Sequence, residues 1–276
     1  MWSGGDTTVH IGVTKQHVIG DRMRKIIPAL TAVGHQGLRE ASRYTKLPGI
    51  RSLPPKVEID RRPGSIVNWQ LKVACEACNI GWMRLLEEAA YPFIEKLILG
   101  ESFELSKADQ TLVTRWISQV WLVSQYMKND WVITPQEQRV LFRQQHLPPA
   151  GCQIWIGNYA GSHYMGQAFG VSSTTESWNS KTATPKDEPP FAAAAFCCWL
   201  GHFFIHVVFS SDAKRFHVKA GKGFTEIFPP TDERISWPTD GWLDGDVYDF
   251  LVGLRSAFGV APDWMPWLVP DFLAPR

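Results

Sequence analysis

The stretch CEACNIGWM, residues 75–83, holds two cysteines two residues apart, an asparagine directly behind the second, then a glycine and a tryptophan. A two-residue gap lets both sulfurs turn toward one point, as two corners of a tetrahedral zinc site require. The same spacing suits a redox dithiol or a metal-free turn in front of a helix. A second C-x-x-C, which would complete a zinc site, occurs nowhere in the chain. His10, His17 and His35 are the upstream histidines within range, and none has tight ligand spacing. Cys152, Cys197 and Cys198 stand in apolar contexts and read as small buried hydrophobes.

Downstream of this stretch the pattern is helical. Trp82, Leu85, Leu86, Ala89 and Phe93 recur at helical spacing, with Pro92 expected to kink that helix or to start a second. Ser106, with Asp109 three residues later, predicts the start of a helix through 111–127. Val113, Trp116, Ile117, Val120, Trp121 and Ser124 share its broad face. TPQEQRVLFRQQ, 134–145, predicts a third helix, with Thr134 as cap, Pro135 in the first turn and Glu137 closing a capping box.

Upstream, IGVTKQHVI (11–19) alternates and reads as extended. RMRKIIPALTAV (22–33) has a helical tendency interrupted at Pro28. VEIDRRPGSIVNWQLKVAC (57–75) predicts two strands, 57–60 and 66–74, joined over the turn residues Arg62–Ser65. Beyond Pro148–Pro149 the texture changes. GCQIWIGNYAG (151–161) reads as a strand, and 170–190 as a polar loop. FAAAAFCCWLGHFFIHVVF (191–209) approaches the length of a membrane span, but Gly201, His202 and His206 make a buried strand–turn–strand the simpler reading. His202 and His206, four apart, would share a face in a helix or a strand. A helix is predicted at VYDFLVGLRSAFG (247–259). The chain thus divides into residues 1–147 and a β-rich part, 148–276.

The 276 residues can bury a sizeable core, and 45% apolar with 20% charged is a globular balance. Net charge is only +1, yet residues 1–72 hold twelve of the 28 basic residues and five of the 27 acidic ones. Such a portion suits a phosphate backbone. The first twenty residues lack a secretory pattern, and five cysteines do not make a disulfide framework. A reduced, cytoplasmic, non-membrane protein is expected. Phosphate-loop, nucleophile-elbow and H-E-x-x-H patterns are absent. Four aspartates in 240–249 do not fit a calcium loop.

VTKQHVI (13–19), KVACEACNIGWM (72–83), LLEEAAYPFIEKLILG (85–100) and LSKADQTLVTRW (105–116) together resemble a group of bacterial and phage proteins related to HNH endonucleases. The resemblance implies an α+β fold: a truncated HNH-like ββα amino-terminal module, a helical middle and a β-rich carboxy-terminal part. It implies metal-dependent cleavage of DNA with magnesium or manganese. His17 would take a proton from water, Asn79 would hold the ββα loop, and Glu87 would be an acidic metal contact. Cys75 and Cys78 would be half of a structural zinc site. Arg22, Arg24, Lys25, Arg61 and Arg62 would lie along the phosphate backbone of DNA. The chain departs from the pattern at Gln16, where an acidic ligand is expected before His17. Residues 1–16 hold no first C-x-x-C, and no histidine follows Cys78 at motif spacing. The zinc ligand set is therefore incomplete. A catalytically inactive nucleic-acid-binding or protein-interaction module is the alternative function.

Overall fold

The computed structural model describes residues 13–20, 22–26, 35–41, 56–62, 70–127, 132–160, 167–175, 178–179, 184–185, 191–211, 223–239, 241–242 and 250. In chain order these form β1 (Val13–His17), α1 (Met23–Ile26), β2 (His35–Ala41), β3 (Lys56–Arg62), β4 (Gln70–Cys75) and α2 (Glu76–Cys78). After a π-helical turn, Asn79–Met83, come α3 (Arg84–Leu99), β5 (Phe103–Leu105), α4 (Lys107–Ser124) and α5 (Gln136–Gln145). The remainder is β6 (Cys152–Tyr159), β7 (Gln167–Thr175), β8 (Trp178–Asn179), β9 (Thr184–Pro185), β10 (Phe191–Leu200), β11 (Phe203–Ser210), β12 (Phe224–Phe228), β13 (Ile235–Trp237) and β14 (Gly241–Trp242). The arrangement is α+β: an amino-terminal strand pair, central helices and a carboxy-terminal sheet.

β1 runs antiparallel to β4, with His17 opposite Gln70 and Val13 opposite Cys75. β3 pairs instead with β2. The two strands expected to share a turn at Arg62–Ser65 are thus formed, but each takes a partner from farther away. Alternation identifies a strand and not its partner, because register is set by which faces can be buried. In the β1–β4 ribbon, Gln16 is buried and its neighbour Leu71 packs on the core. The alternate residues Lys15, Gln70 and Lys72 are exposed.

β4 runs straight into helix. Cys75 caps α2, and Gly81 (φ −91°, ψ −116°) breaks helical geometry before α3 begins. Pro92 lies inside α3, which continues through it and ends at Gly100 in the left-handed region, φ 71°. The proline forfeits one backbone bond, but Glu88 and Pro92 are both on the exposed side, where water can satisfy the orphaned carbonyl. Ser106 and Asp109 form the expected capping box on α4. At α5 the cap position is Pro135, without a side-chain cap. Thr134 is used elsewhere: its hydroxyl accepts from Gln125 Nε2 at 2.8 Å.

The largest sheet has the order β12-β6-β11-β10-β7, with β14 parallel to β6. Residues 191–209 form the β10–β11 hairpin about Gly201, φ 58°. β7 extends the sheet along β10 within the stretch expected to be a loop. Its serines and threonines hide the strand from a hydrophobicity pattern, although β-branched residues suit a sheet. Trp121 of α4 meets Phe209 of β11, ring centroids 5.7 Å apart. The core runs without a break from Val113, Trp116 and Ile117 to Ile154, Phe203 and Ile205. Among the described residues, no helix is long and apolar enough to cross a membrane. The helix predicted at 247–259 lies, apart from Phe250, outside the described residues.

Candidate functional site

The strand bearing His17 and the turn bearing the cysteines are joined at a bulge. Lys15 faces Lys72 but Thr14 faces Ala74, so Val73 is the extra residue. A bulge bends its strand and leaves local backbone groups in need of partners. Asn79 supplies them. Its Nδ2 donates to the Lys15 carbonyl and to Thr14 Oγ1, each at 3.1 Å. Thr14 in turn donates to the Ala74 carbonyl at 3.2 Å. The asparagine behind the second cysteine therefore fixes the strand two residues before His17.

His17 stands opposite Gln70, whose Nε2 lies 2.7 Å from His17 Nε2. The amide can only donate, so the ring nitrogen accepts and the proton sits on Nδ1. Gln16, one residue earlier, turns to the other face. Its Nε2 donates to Glu87 Oε1 at 3.0 Å, and Gln119 Nε2 from α4 donates to the same oxygen at 2.8 Å. Alternation along a strand puts His17 on the face opposite Gln16 and hence opposite Glu87. Burial raises the Glu87 carboxyl to about 7, against the two amide bonds that lower it, and nearby Glu88 adds to the rise. The other oxygen, Oε2, sits against Gly20, where a Cβ would come within 2.9 Å. Glu87 thus ties α3, β1 and α4 together from inside.

At the cysteine turn, the Cys78 backbone N–H reaches Cys75 Sγ at 3.4 Å, and the two thiols are in hydrogen-bonding contact. Cys75 is half-buried and Cys78 buried. Burial pushes the Cys75 thiol up, but bonds from Cys78 and the nearby Arg143 guanidinium leave it below the usual thiol value. Burial and the bond to Cys75 push Cys78 up. Beside Cys78, Trp82 packs against Phe142 and His146, with ring centroids 5.7 and 5.4 Å away. Among the described residues, no group of three or more His, Cys, Asp or Glu side chains could hold a metal ion.

No family model, no curated protein and no solved structure matches the chain. What the site offers lies in its own geometry.

That geometry brings His17, Asn79, Cys75 and Cys78 onto one unit of β1, β4 and α3. Arg22 lies over the Tyr91 ring of α3, 5.0 Å from its centroid, and Lys25 is exposed on α1. Arg24 falls on α1, and Arg61 and Arg62 on β3 opposite Gln36 and His35. His202 and His206 do not act together: His202 bonds the Tyr159 carbonyl from the turn, while His206 meets Cys197 inside the sheet. Sequence reasoning missed Arg143 and His146, which α5 brings to the cysteine turn. His146 carries one local signal, its place just past an apolar-periodic helix, where it takes a left-handed φ of 54°. It also missed Lys15 and Lys72, which become neighbours only when the register is known.

Proposed function

We propose that the chain acts on nucleic acid through the unit of β1, β4 and α3, as a degenerate HNH-type phosphodiesterase with His17 as general base. The antiparallel pair β1–β4, with β4 feeding a helix, is the spatial arrangement of a ββα module, with α1, β2 and β3 between the two strands in the chain. The observation that carries the reading is the Asn79 clamp, which spans 65 positions of sequence to fix the strand next to His17. A side chain spent on that geometry, beside an imidazole on the outer face, is what a positioned base requires.

His17 Nε2 takes the proton of a water whose oxygen bonds to phosphorus as the P–O bond to the departing sugar oxygen breaks, and that oxygen leaves as an alkoxide protonated by solvent water. Gln70 occupies that lone pair in this arrangement, so the water displaces an exposed amide on its way in. A divalent metal, magnesium or manganese, supplies charge neutralisation at the scissile phosphate when bound. A structural zinc would use Cys75 and Cys78 with two further ligands from outside the described residues. Partner and compartment follow the same reading: DNA, met in the cytoplasm.

Binding without cleavage is the second reading, and one observation favours it. Gln16 replaces the expected acid and turns inward onto Glu87, so neither position offers a carboxylate to the face of His17. Plasmid nicking with magnesium or manganese, beside electrophoretic binding, separates the two. Nicking lost in His17→Ala with binding retained supports the base. Equal nicking by the variant removes His17 from the chemistry. Binding with no nicking by either protein selects the second reading, and neither binding nor nicking overturns both. Zinc content near one per chain, lost in Cys75→Ser, would establish the thiols as ligands.

A further inference from the structure

Two lysines stand directly opposite one another on the ribbon: Lys15 on β1 and Lys72 on β4. Both side chains are exposed, and alternation points both to the outer face. Like charges in directly opposed positions destabilise a strand pair. Among the described residues neither ammonium has an ion-pair partner; the ion pairs there join Arg84 to Glu88, Lys107 to Asp232 and Arg234 to Glu104. The nearest acid along β4 is Glu76, beyond the cysteine that caps α2. On the other side the next outward rung is His17 with Gln70. The outer face thus carries two unpaired cations beside an imidazole and an amide. The bulge fixed by Asn79 begins at Lys15, so the spacing of the two lysines is held by the same clamp that holds the histidine strand.

We propose that the Lys15–Lys72 rung is the phosphate seat of this protein, the place where one phosphodiester of a nucleic-acid backbone is held between two ammonium groups beside His17. This rests on the nucleic-acid reading above and adds what that reading lacked: the residues that grip the backbone at the histidine. An anion between the lysines turns a repulsion into two attractions, so the pair gains most when a phosphate is present. The seat carries no sequence information, because backbone contacts position a strand without reading its bases. Arg22 and Lys25 lie after β1 on the bend and on α1, and they take no part in the rung itself.

The test uses the full chain, with fluorescence anisotropy of a short labelled duplex and a single strand, across about 25–200 mM potassium chloride. Lys15→Gln, Lys72→Gln and the double variant are compared with the wild type. For the double variant, binding at the low-salt end falls by about tenfold or more, and the slope of log affinity against log salt falls by about one per lysine. Its melting temperature stays at or above that of the wild type, because a repulsion has been removed. Retained affinity and slope in the double variant, while the wild type binds, would overturn the seat and leave the nucleic-acid reading standing. A wild type that binds neither nucleic acid overturns the partner itself. Tripolyphosphate then reports what the rung takes: a melting shift in the wild type, absent from the double variant, identifies free phosphates as the ligand in place of nucleic acid. No shift in either protein removes the seat altogether.

Discussion

The chain sets a cysteine against a histidine in the sheet and a cysteine against a second cysteine at the amino-terminal turn, and the two settings differ in solvation and charge. In the sheet, Cys197 of β10 and His206 of β11 are cross-strand partners, with Sγ 3.3 Å from Nδ1. Both are fully buried. Trp155 stacks on the imidazole with centroids 5.2 Å apart, and Phe250 meets it edge-on at 4.9 Å. Burial pushes the Cys197 thiol far up and the His206 imidazole down to about 3. Near neutral pH both groups are uncharged, so closeness produces no thiolate–imidazolium pair. At the amino-terminal unit the groups are less tightly enclosed. Cys75 is half-exposed, bonded by Cys78 and biased by Arg143 toward its thiolate. Solvation and a neighbouring charge decide whether a cysteine can react. Distance to a histidine does not.

The contrast breaks most visibly under a thiol reagent. In native protein near pH 7.5, with a zinc chelator present, iodoacetamide should label Cys75 at least about 100-fold faster than Cys152, Cys197 or Cys198, since a sealed thiol must wait for local opening. Peptide mapping by mass spectrometry over a time course gives the rates. Comparable labelling of Cys197 would mean that the sheet is open and that its pair belongs with the reactive groups.

The amino-terminal unit contains a buried ionisable group of its own, and it sharpens the comparison. Glu87 has a folded pKa of about 7, above the ordinary 4.5, through burial. An acid whose pKa rises on folding holds its proton more tightly when folded. Its contribution to stability is complete below pH 4.5 and is lost as pH rises through 7. The difference amounts to roughly 3 kcal/mol at pH 8, an upper bound from the size of the shift. Glu87→Gln keeps an acceptor for Gln16 and Gln119 and cannot ionise. Wild type and variant should unfold in urea at similar free energies at pH 4.5, with the variant pulling ahead by pH 8. Parallel curves across that range would show that Glu87 is solvated, and would return it to the list of groups able to meet a metal. His206, also buried, gives a slope of the opposite sign: its folded value of about 3 lies below the ordinary 6.5, so stability is lost as pH falls from about 6.5, equally in wild type and variant, and it cancels from their comparison.

Much of what distinguishes these regions is legible in sequence where the determinants are local. The Ser106–Asp109 box marks α4 without help, and Gly201 between two apolar runs marks the β10–β11 hairpin. The cysteines before a helical period place the turn and α3. What could not be read is the pairing of elements distant in sequence. Strand 13–17 finds 70–75 over a long intervening stretch, and a plausible turn at Arg62–Ser65 suggests a nearer partner. Non-local pairing is fixed by burial on one face, which a linear pattern does not encode. The same limit hid the site. Glu87, expected as an acidic metal contact, is instead met by Gln16 from β1 and Gln119 from α4, partners distant in sequence. Lys15 and Lys72 read as two ordinary surface charges until the register opposes them. Asn79 could be singled out from its place after the C-x-x-C, but its bonds to Thr14 and Lys15 depend on that same register.

The smallest expected effect tests the joint itself. Asn79→Ala removes two hydrogen bonds at the bulge and should cost about 1–2 kcal/mol in urea unfolding. Asn79→Asp is the more telling change. It keeps the size and shape of the side chain but replaces the donating amide with oxygen. A carboxylate cannot donate to the Lys15 carbonyl 3.1 Å away, and it sets negative charge against that oxygen. Aspartate should therefore do no better than alanine, despite filling the same space. Amide hydrogen exchange across residues 13–17 should quicken in both variants, while strands β10 and β11 exchange as in the wild type. If aspartate supports wild-type stability and exchange, shape alone holds the bulge, and the donated bond is not what keeps the histidine strand in register.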